Sequence, residues 1–322
     1  MRQHLDYIDL AKGLAITLVV MGHGPFPFHA ALEFFHMPLW FIIAGLTFKP
    51  THDWGTFLLK KTNRLLVPWL TFTILGSVIF YLFDYNAFFP IWFLQSLFCA
   101  LIVANLLLSY LPTKVSILGG AILGILSYIL CHNHIDILPF NLERSLSGAS
   151  FIVFGYSIKV CGFLSYLGEK SKLVLVLLAI SFFVTFFSLY YYNSLLYDFS
   201  SMSFSMLTTF QVDIFCFYAM AITASICVII ICLIINNVNI FNWMGINSMT
   251  ILIVHAPILE LLLCICNITG ILKNENLPLY MCLCAFIYVC VFLLCFPCVI
   301  LFKKIFPQFT GYANLVKINS IK

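Results

Sequence analysis

Two ionisable residues, Lys12 and His23, lie on the first hydrophobic stretch of the chain, eleven positions apart. Eleven residues are close to three full helical turns, so both side chains would share one face of an α-helix, separated along its axis by roughly 16 Å. That distance is about half the hydrocarbon thickness of a bilayer. In a spanning helix the lysine would lie near one surface and the imidazole near the middle, where ionisable groups are costly and usually mark function. An enzyme that binds an anionic cofactor with a cation and removes a hydroxyl proton with a base would need the two groups in this arrangement.

Both residues also have a structural alternative. Asp9 precedes Lys12 by one helical turn, so the two could form a neutralising ion pair at the membrane boundary. This pair would not explain His23, whose glycine and proline neighbours predict a break in the helix. Backbone groups that lose their helical hydrogen bonds within a membrane are tolerated where they line a cavity or are buried by protein. The structural alternative for His23 is an imidazole that is hydrogen-bonded to a neighbouring backbone carbonyl.

The second hydrophobic stretch begins with Glu33 and His36, again one turn apart. A carboxylate can hold an imidazole in one tautomer and raise its basicity, so the pair could orient a proton or relay it. The alternative is an interfacial pair that only sits near the lipid headgroups. We predict that both residues lie near the outer end of their helix, within reach of His23.

A basic cluster separates the second and third hydrophobic stretches, and its members are Lys49, His52, Lys60, Lys61 and Arg64. Part of this charge is expected of any membrane protein, because Lys and Arg favour the cytoplasmic side. Lys61 and Arg64, however, share a face at the start of a helix. Cations there could clamp the phosphates of a cytoplasmic nucleotide or of coenzyme A. Orientation and binding both remain open as explanations.

The composition places the chain in a membrane. Hydrophobic residues make up 63%, charged residues 9%, and the mean hydropathy is +1.07, whereas a soluble domain has about 25% charged residues. Apolar stretches that are long enough to span recur along the chain. We therefore predict an all-α, polytopic membrane protein of about ten transmembrane helices, approximately at 8–26, 32–48, 64–84, 90–109, 115–131, 142–160, 173–192, 210–235, 245–268 and 278–302.

The positions of Lys and Arg predict the orientation. With ten spans and both termini cytoplasmic, only Arg144 and Lys273 of the 16 Lys and Arg residues fall on outer segments. The net charge of +4 thus reflects topology, and no nucleic-acid partner is expected. We predict one integral-membrane domain over 1–322 with a short cytoplasmic tail, 303–322, in a multi-pass protein of the cell membrane that contacts lipids. The inner residues are Arg2, Lys12, Lys49, Lys60, Lys61, Arg64, Lys114, Lys159, Lys170, Lys172, Lys303, Lys304, Lys317 and Lys322.

Three other features have weaker functional signals. The 13 cysteines lie mostly within apolar spans and are interpreted as packing residues. His132, His134 and Asp136 resemble a metal-ligand cluster, but no second ligand group accompanies them, so no metal is predicted. His255 lies within the ninth span, where it could line a cavity or bind helices together.

Several of these segments resemble the acyltransferase-3 family of membrane acyltransferases over nearly the whole chain. The N-terminal segments are the more specific ones. The matching segments are Asp9-Leu10-Ala11-Lys12-Gly13-Leu14-Ala15, Val20-Met21-Gly22-His23, Phe35-His36-Met37-Pro38-Leu39-Trp40-Phe41-Ile42-Ile43-Ala44-Gly45, Arg64-Leu65-Leu66-Val67-Pro68, Trp92-Phe93-Leu94 and Gly245…Ser248…His255-Ala256-Pro257.

The resemblance assigns roles to particular positions. The family's Arg/Lys-x10-His motif falls on Lys12 and His23, which it implies are essential for acyl transfer. Its Arg-x-x-Arg motif resembles Lys61-x-x-Arg64, with a lysine that cannot form a bidentate clamp. Such proteins typically use cytoplasmic acyl-CoA and O-acylate sugars within or beyond the membrane. Some have a fused esterase-like domain outside the membrane, and this chain is expected to act without one or with another protein.

We therefore expect a membrane O-acyltransferase that moves an acetyl group from acetyl-CoA to a cell-surface or lipid-linked glycan. Lys12, Lys61 and Arg64 would lie near the cofactor phosphates. His23 would act as a general base or accept the acetyl group transiently, with Glu33 and His36 as orienting or relay groups. The alternatives are a glycan or lipid transporter, and a structural or regulatory membrane protein without catalysis.

Overall fold

The computed structural model describes residues 6–26, 28–83, 91–133, 138–197, 212–269 and 277–315. These ranges fold into helices joined by turns and contain no strand, which confirms the all-α prediction. The helices are α1 (Asp6–Gly22), α2 (His29–Glu33), α3 (His36–Thr47), α4 (Trp54–Lys61), α5 (Val67–Phe83), α6 (Trp92–Tyr110), α7 (Thr113–His132), α8 (Leu142–Val160), α9 (Phe163–Gly168), α10 (Lys172–Leu196), α11 (Ile214–Ile235), α12 (Asn239–Ile246), α13 (Ser248–Thr269) and α14 (Leu277–Ile305), with a π-helical turn at Thr62–Leu66 and a 3-10 turn at Pro139–Asn141.

Within the described residues, eight helices are long and apolar enough to cross a membrane, so the chain is a multi-pass membrane protein. They are His29–Thr47, Trp54–Ile79, Trp92–Tyr110, Thr113–His132, Lys172–Leu196, Ile214–Ile235, Ser248–Asn267 and Pro278–Ile305. Two further predicted spans, 8–26 and 142–160, form α1 and α8. α1 has only 17 residues, and α8 carries Glu143, Arg144 and Lys159, so these two stay predictions as spans.

The helices group into two compact units, each assembled from separate stretches of the chain. The first unit contains Met1–Ala15, Ala30–His52 and Cys99–Ile246, and the second contains Ile16–His29, Asp53–Phe98 and Asn247–Lys322.

In the first unit, α3 and α8 pack with their backbones in contact. A Cβ atom added at Gly45 would collide with the carbonyl oxygen of Ile152, and one at Gly155 would collide with that of Ile42. Small residues at a helix interface permit this close approach in membranes, where the hydrophobic effect does not drive helices together. The contact fixes α3, the helix that begins at His36.

In the second unit, α13 packs along α14, and the end of α1 contacts α14. The segment that follows α14 folds back against the π-helical turn. Large apolar side chains on the outer surface of α14 stay exposed, for example Phe286 and Leu293. This exposure is what lipid-facing helices require.

Candidate active site

His23 lies directly after the last residue of α1, where the regular helix ends. Its backbone N–H still donates to the carbonyl of Val19, at 3.2 Å, whereas the next N–H, that of Gly24, donates to Met21, only three residues back. The imidazole is exposed. The break predicted from the glycines and prolines is thus present, and it leaves backbone carbonyls that need partners.

Side chains of α14 supply those partners. The hydroxyl of Tyr288 donates to the carbonyl of Met21 at 3.3 Å. The thiol of Cys284 donates to the carbonyl of Pro25 at 2.8 Å, and the hydroxyl of Tyr280 approaches the same oxygen at 3.4 Å. The irregular backbone that carries His23 is therefore held by α14.

A second histidine, His255 on α13, faces His23. The two ring centroids are 5.4 Å apart, with the ring planes inclined at 36°. Nδ1 of His255 lies 3.0 Å from the carbonyl oxygen of Ile251. A carbonyl only accepts, so Nδ1 carries the proton and Nε2 presents a lone pair. The His255 ring is fully buried, and Nε2 has no hydrogen-bond partner among the described residues.

Arg64 lies in the π-helical turn between α4 and α5, a deviation that is common at functional sites. Asn63, beside it, donates to the carbonyl of Leu59 at 3.0 Å and accepts a bond from the backbone N–H of Leu315, also at 3.0 Å. The guanidinium of Arg64 is exposed and forms no ion pair within the described part of the chain. This turn therefore holds its backbone rigidly and presents a cation outward.

Lys61 is the last residue of α4, directly before this turn, and Asp53 caps the start of the same helix. The ammonium of Lys61 lies 5.6 Å from the centroid of the Phe57 ring, a cation–π contact. The carboxylate of Asp53 caps the helix by accepting the backbone N–H of Thr56 at 3.1 Å. Hydrogen bonds from Thr56 hold the pKa of this exposed carboxyl below its ordinary value. The cap fixes where the helix that carries Lys61 begins.

The segment after α14 ties the π-helical turn to the start of α13. Gly311, at φ +74°, lies against the carbonyl of Arg64. The hydroxyl of Tyr312 donates to Asn247 at 2.9 Å and accepts from Thr250 at 3.2 Å. The ammonium of Lys303 lies 4.8 Å from the centroid of the Tyr312 ring. The described portion of the predicted tail, 303–315, is thus packed and bonded.

In the first unit, Lys12 forms an ion pair with Asp9, with Nζ 3.0 Å from Oδ1. This ion pair is the structural alternative to cofactor binding by Lys12. The backbone of α12 packs closely here, because a Cβ atom at Gly245 would collide with the carbonyl of Asp9 and one at Gly13 with that of Phe241. An ammonium group has three donors, so the bond to Asp9 leaves donors for another ligand.

Glu33 ends α2 and His36 begins α3, and both side chains are buried. Nδ1 of His36 lies 2.9 Å from the carbonyl oxygen of Leu32, so this carbonyl, rather than the carboxylate, is the partner of that nitrogen. Aromatic contacts of Phe34 with Tyr190 and of Phe35 with α10 hold the connection in place. Nε2 of His36 is consequently the nitrogen with the lone pair.

The predicted site residues are therefore divided between the units. Lys12, Glu33 and His36 belong to the first unit, and His23, Lys61 and Arg64 belong to the second. Sequence reasoning did not include His255 among the site residues. Its signal was an imidazole beside Ala256 and Pro257 in an otherwise apolar span, and the structure adds its contact with His23.

The possible metal cluster on the outer loop falls partly outside the described residues, which do not include His134 and Asp136. His132 stacks on the ring of Tyr128, with centroids 5.6 Å apart. Within the described ranges, no group of three or more histidine, cysteine or acidic side chains is placed to hold a metal ion. None of the 13 cysteines, all of which lie in the described ranges, forms a disulfide bond, and their interpretation as packing residues stays a prediction.

Comparison with known proteins identifies the family of the chain. No curated protein and no solved structure gives a significant match to the chain. The family model for acyltransferase 3, described as an acyltransferase domain, matches residues 5–296 and so covers Lys12, His23, Arg64 and His255 together. Because this match extends over most of the chain, the protein belongs to the acyltransferase-3 family and is a multi-pass membrane acyltransferase.

Proposed function

We propose that the protein is an O-acetyltransferase of the cell membrane that moves an acetyl group from cytoplasmic acetyl-CoA to a hydroxyl group of a cell-surface or lipid-linked glycan. Family membership supports acyl transfer. The observation that carries the proposal is the placement of His23. Its imidazole is exposed on irregular backbone that α14 holds in place. A base so placed is accessible to substrate, and its surroundings limit its movement.

In the proposed reaction, the neutral imidazole of His23 removes the proton of the glycan hydroxyl while the oxygen attacks the thioester carbonyl carbon. A carbon–oxygen ester bond forms, the carbon–sulfur bond breaks, and the departing thiolate takes the proton from the imidazolium. The alternative is that the imidazole attacks first, forms an acetyl-histidine and releases the thiol, after which the hydroxyl receives the acetyl group. The residues support either order.

We place the phosphates of acetyl-CoA near Arg64 and Lys61. A guanidinium is planar and matches phosphate oxygens with two parallel hydrogen bonds, and the exposed side chain of Arg64 is available for this contact. Lys61 supplies a point charge one turn earlier. Lys12, which shares its ammonium with Asp9, retains donors for a phosphate and is proposed as the third cation.

Glu33 and His36 are proposed as a proton relay. Because Nδ1 of His36 bonds to Leu32, its Nε2 is the nitrogen that can accept a proton. Glu33 is a buried carboxyl on the same connection. Buried ionisable groups in membrane helices commonly take part in proton transfer, which supports this role.

The test compares surface glycans and glycolipids from cells that express the wild-type chain, from cells that lack it and from cells that express His23→Ala. Mass spectrometry should detect glycans heavier by one acetyl group only with the wild-type protein. His132→Ala is a matched control, because it removes an imidazole that stacks on Tyr128 and that is not among the proposed site residues. This variant should acetylate normally.

Membrane insertion of each variant is measured by protease protection and detergent extraction. Acetylation that persists with a correctly inserted His23→Ala protein would exclude His23 as the base. Unchanged acetylation in cells without the chain, together with reduced surface glycan, would favour the transporter alternative instead.

A further inference from the structure

We propose that His255 is a positioning residue for His23, and that its Nε2 accepts a hydrogen bond from one N–H of the His23 ring so that the other nitrogen serves as the base. This inference rests on the proposed function of His23. It begins from the tautomer of His255, which is determined by the contact between Nδ1 and the carbonyl of Ile251. Nε2 is therefore a hydrogen-bond acceptor.

The burial of His255 makes this acceptor significant. The ring has no exposed surface, and Nε2 has no hydrogen-bond partner among the described residues. Native proteins bond nearly all buried polar atoms, and each exception needs an explanation. Leaving such an atom unpaired destabilises the folded protein, so a role in which it gains a partner during the reaction would explain its placement.

The neighbouring donors on α14 already have partners. Tyr288 donates to Met21, and Cys284 donates to Pro25. The His23 ring lies with its centroid 5.4 Å from that of His255. A small rotation of the His23 side chain, or one bridging water, would complete the contact. Catalytic hydrogen bonds are often long in the free enzyme and tighten when substrate binds.

The positioning role has a chemical reason. When His23 takes the proton of the acceptor hydroxyl, its ring becomes an imidazolium with two N–H groups. One of these returns its proton to the departing thiolate, and the other needs an acceptor that stays in place throughout. Nε2 of His255 meets this need without gaining or losing a proton, as the carboxylate does for the histidine of a catalytic triad.

Two variants separate positioning from packing. In His255→Asn, the amide nitrogen can occupy about the place of Nδ1 and keep the bond to Ile251, but no acceptor remains at the place of Nε2. In His255→Gln, the longer side chain can place its amide oxygen near that point. Transfer of radiolabelled acetyl groups from acetyl-CoA to glycan in membranes is measured for both, with the binding of acetyl-CoA to protein in nanodiscs.

We expect the maximal transfer rate of His255→Asn to fall by about 10- to 100-fold, the effect of one hydrogen bond to a charged group, with unchanged affinity for acetyl-CoA. His255→Gln should recover most of that loss. Equal activity of both variants and wild type would overturn the proposal. So would equal loss in both variants, because the packing of the imidazole ring, which both variants lose, would then explain the residue.

A second measurement does not depend on acyl transfer. Diethyl pyrocarbonate modifies neutral imidazoles, and peptide mass spectrometry reports the rate at His23 alone. His255→Asn should change this rate, and His255→Gln should restore it towards wild type. An identical rate in all three proteins would contradict the positioning role. If the wild-type protein transfers no acetyl group, the proposed function fails, while this measurement still decides whether His255 acts on His23.

Discussion

The histidine pair and the Arg64 turn are two places in the second unit where a regular helix is interrupted. At His23, α1 ends, and side chains of α14 bond the released carbonyls around two imidazoles. At Arg64, the chain passes through a π-helical turn whose backbone is held by Asn63 and the segment after α14, while the guanidinium faces outward. At the first place an exposed His23 lies beside a buried His255, and at the second an exposed Arg64 carries a positive charge. The proposed function assigns base catalysis to the first place and anion binding to the second.

The His23→Ala substitution tests the histidine pair and is expected to have the largest effect. We expect the transfer rate to fall by about 100-fold or more, the usual contribution of a general base. Affinity for acetyl-CoA should stay within about twofold of wild type, since the phosphates are bound elsewhere. Single-turnover transfer and equilibrium binding in nanodiscs measure the two quantities. A large loss of affinity would show that His23 belongs to the binding region as well.

Arg64→Lys probes the other region. It keeps the positive charge, and therefore the topology signal, but loses the planar fork. Affinity for acetyl-CoA should fall roughly tenfold, with the maximal rate preserved at saturating donor. Lys60→Arg, the reverse exchange at an exposed position on α4, is the control and should change neither quantity. Unchanged affinity in Arg64→Lys would leave Arg64 with a topological role only.

Gly24→Ala tests the support of the histidine pair by α14. A Cβ atom at Gly24 would lie 2.6 Å from the hydroxyl oxygen of Tyr288, so that side chain must move away from the carbonyl of Met21. We expect the transfer rate to fall about two- to tenfold, the effect of one neutral hydrogen bond, with normal acetyl-CoA binding. Gly168→Ala is the control, because nothing lies within 4 Å of its added methyl group. Equal rates in the two variants would contradict the support role.

Tyr312→Phe tests the segment after α14 and should have the smallest effect on activity. It leaves the buried side chains of Asn247 and Thr250 without the shared hydroxyl. The free energy of unfolding should fall by about 1–3 kcal/mol, the scale for one buried polar group, here the hydroxyl of Thr250, that loses its partner. Thermal unfolding in detergent measures this change, with the exposed Tyr81→Phe as control. An unchanged melting temperature would show that the segment does not stabilise the unit.

The fold was predictable where the cause is local. Apolar stretches rich in Leu, Ile and Phe predict helices because length and composition decide whether a segment can span. The break at His23 followed from Gly24 and Pro25, which act through their own backbone chemistry. The predicted place of Arg64 at a helix start was wrong, because Arg64 lies inside the helical run Trp54–Ile79, but its positive charge was evident. These features need no knowledge of what packs against them.

The remaining features depend on tertiary packing. The π-helical turn at Thr62–Leu66 is held by residues some 250 positions later, as the bond between Asn63 and Leu315 shows. Whether Nε2 of His255 has a partner depends on which side chains surround it. The choice of Leu32, rather than Glu33, as partner of His36 depends on the backbone geometry between α2 and α3. No local sequence pattern predicts these features.

The most direct test of cross-membrane acetyl transfer by His23 uses sealed inside-out membrane vesicles, whose cytoplasmic face is turned outward. Radiolabelled acetyl-CoA added outside should reach the Arg64 side of the wild-type protein, and label should accumulate on glycan that a glycosidase added outside cannot release until the vesicles are opened. Vesicles with His23→Ala should bind the donor and accumulate no labelled glycan. Label that accumulates equally in both kinds of vesicle, or that appears only on glycan outside them, would contradict the account.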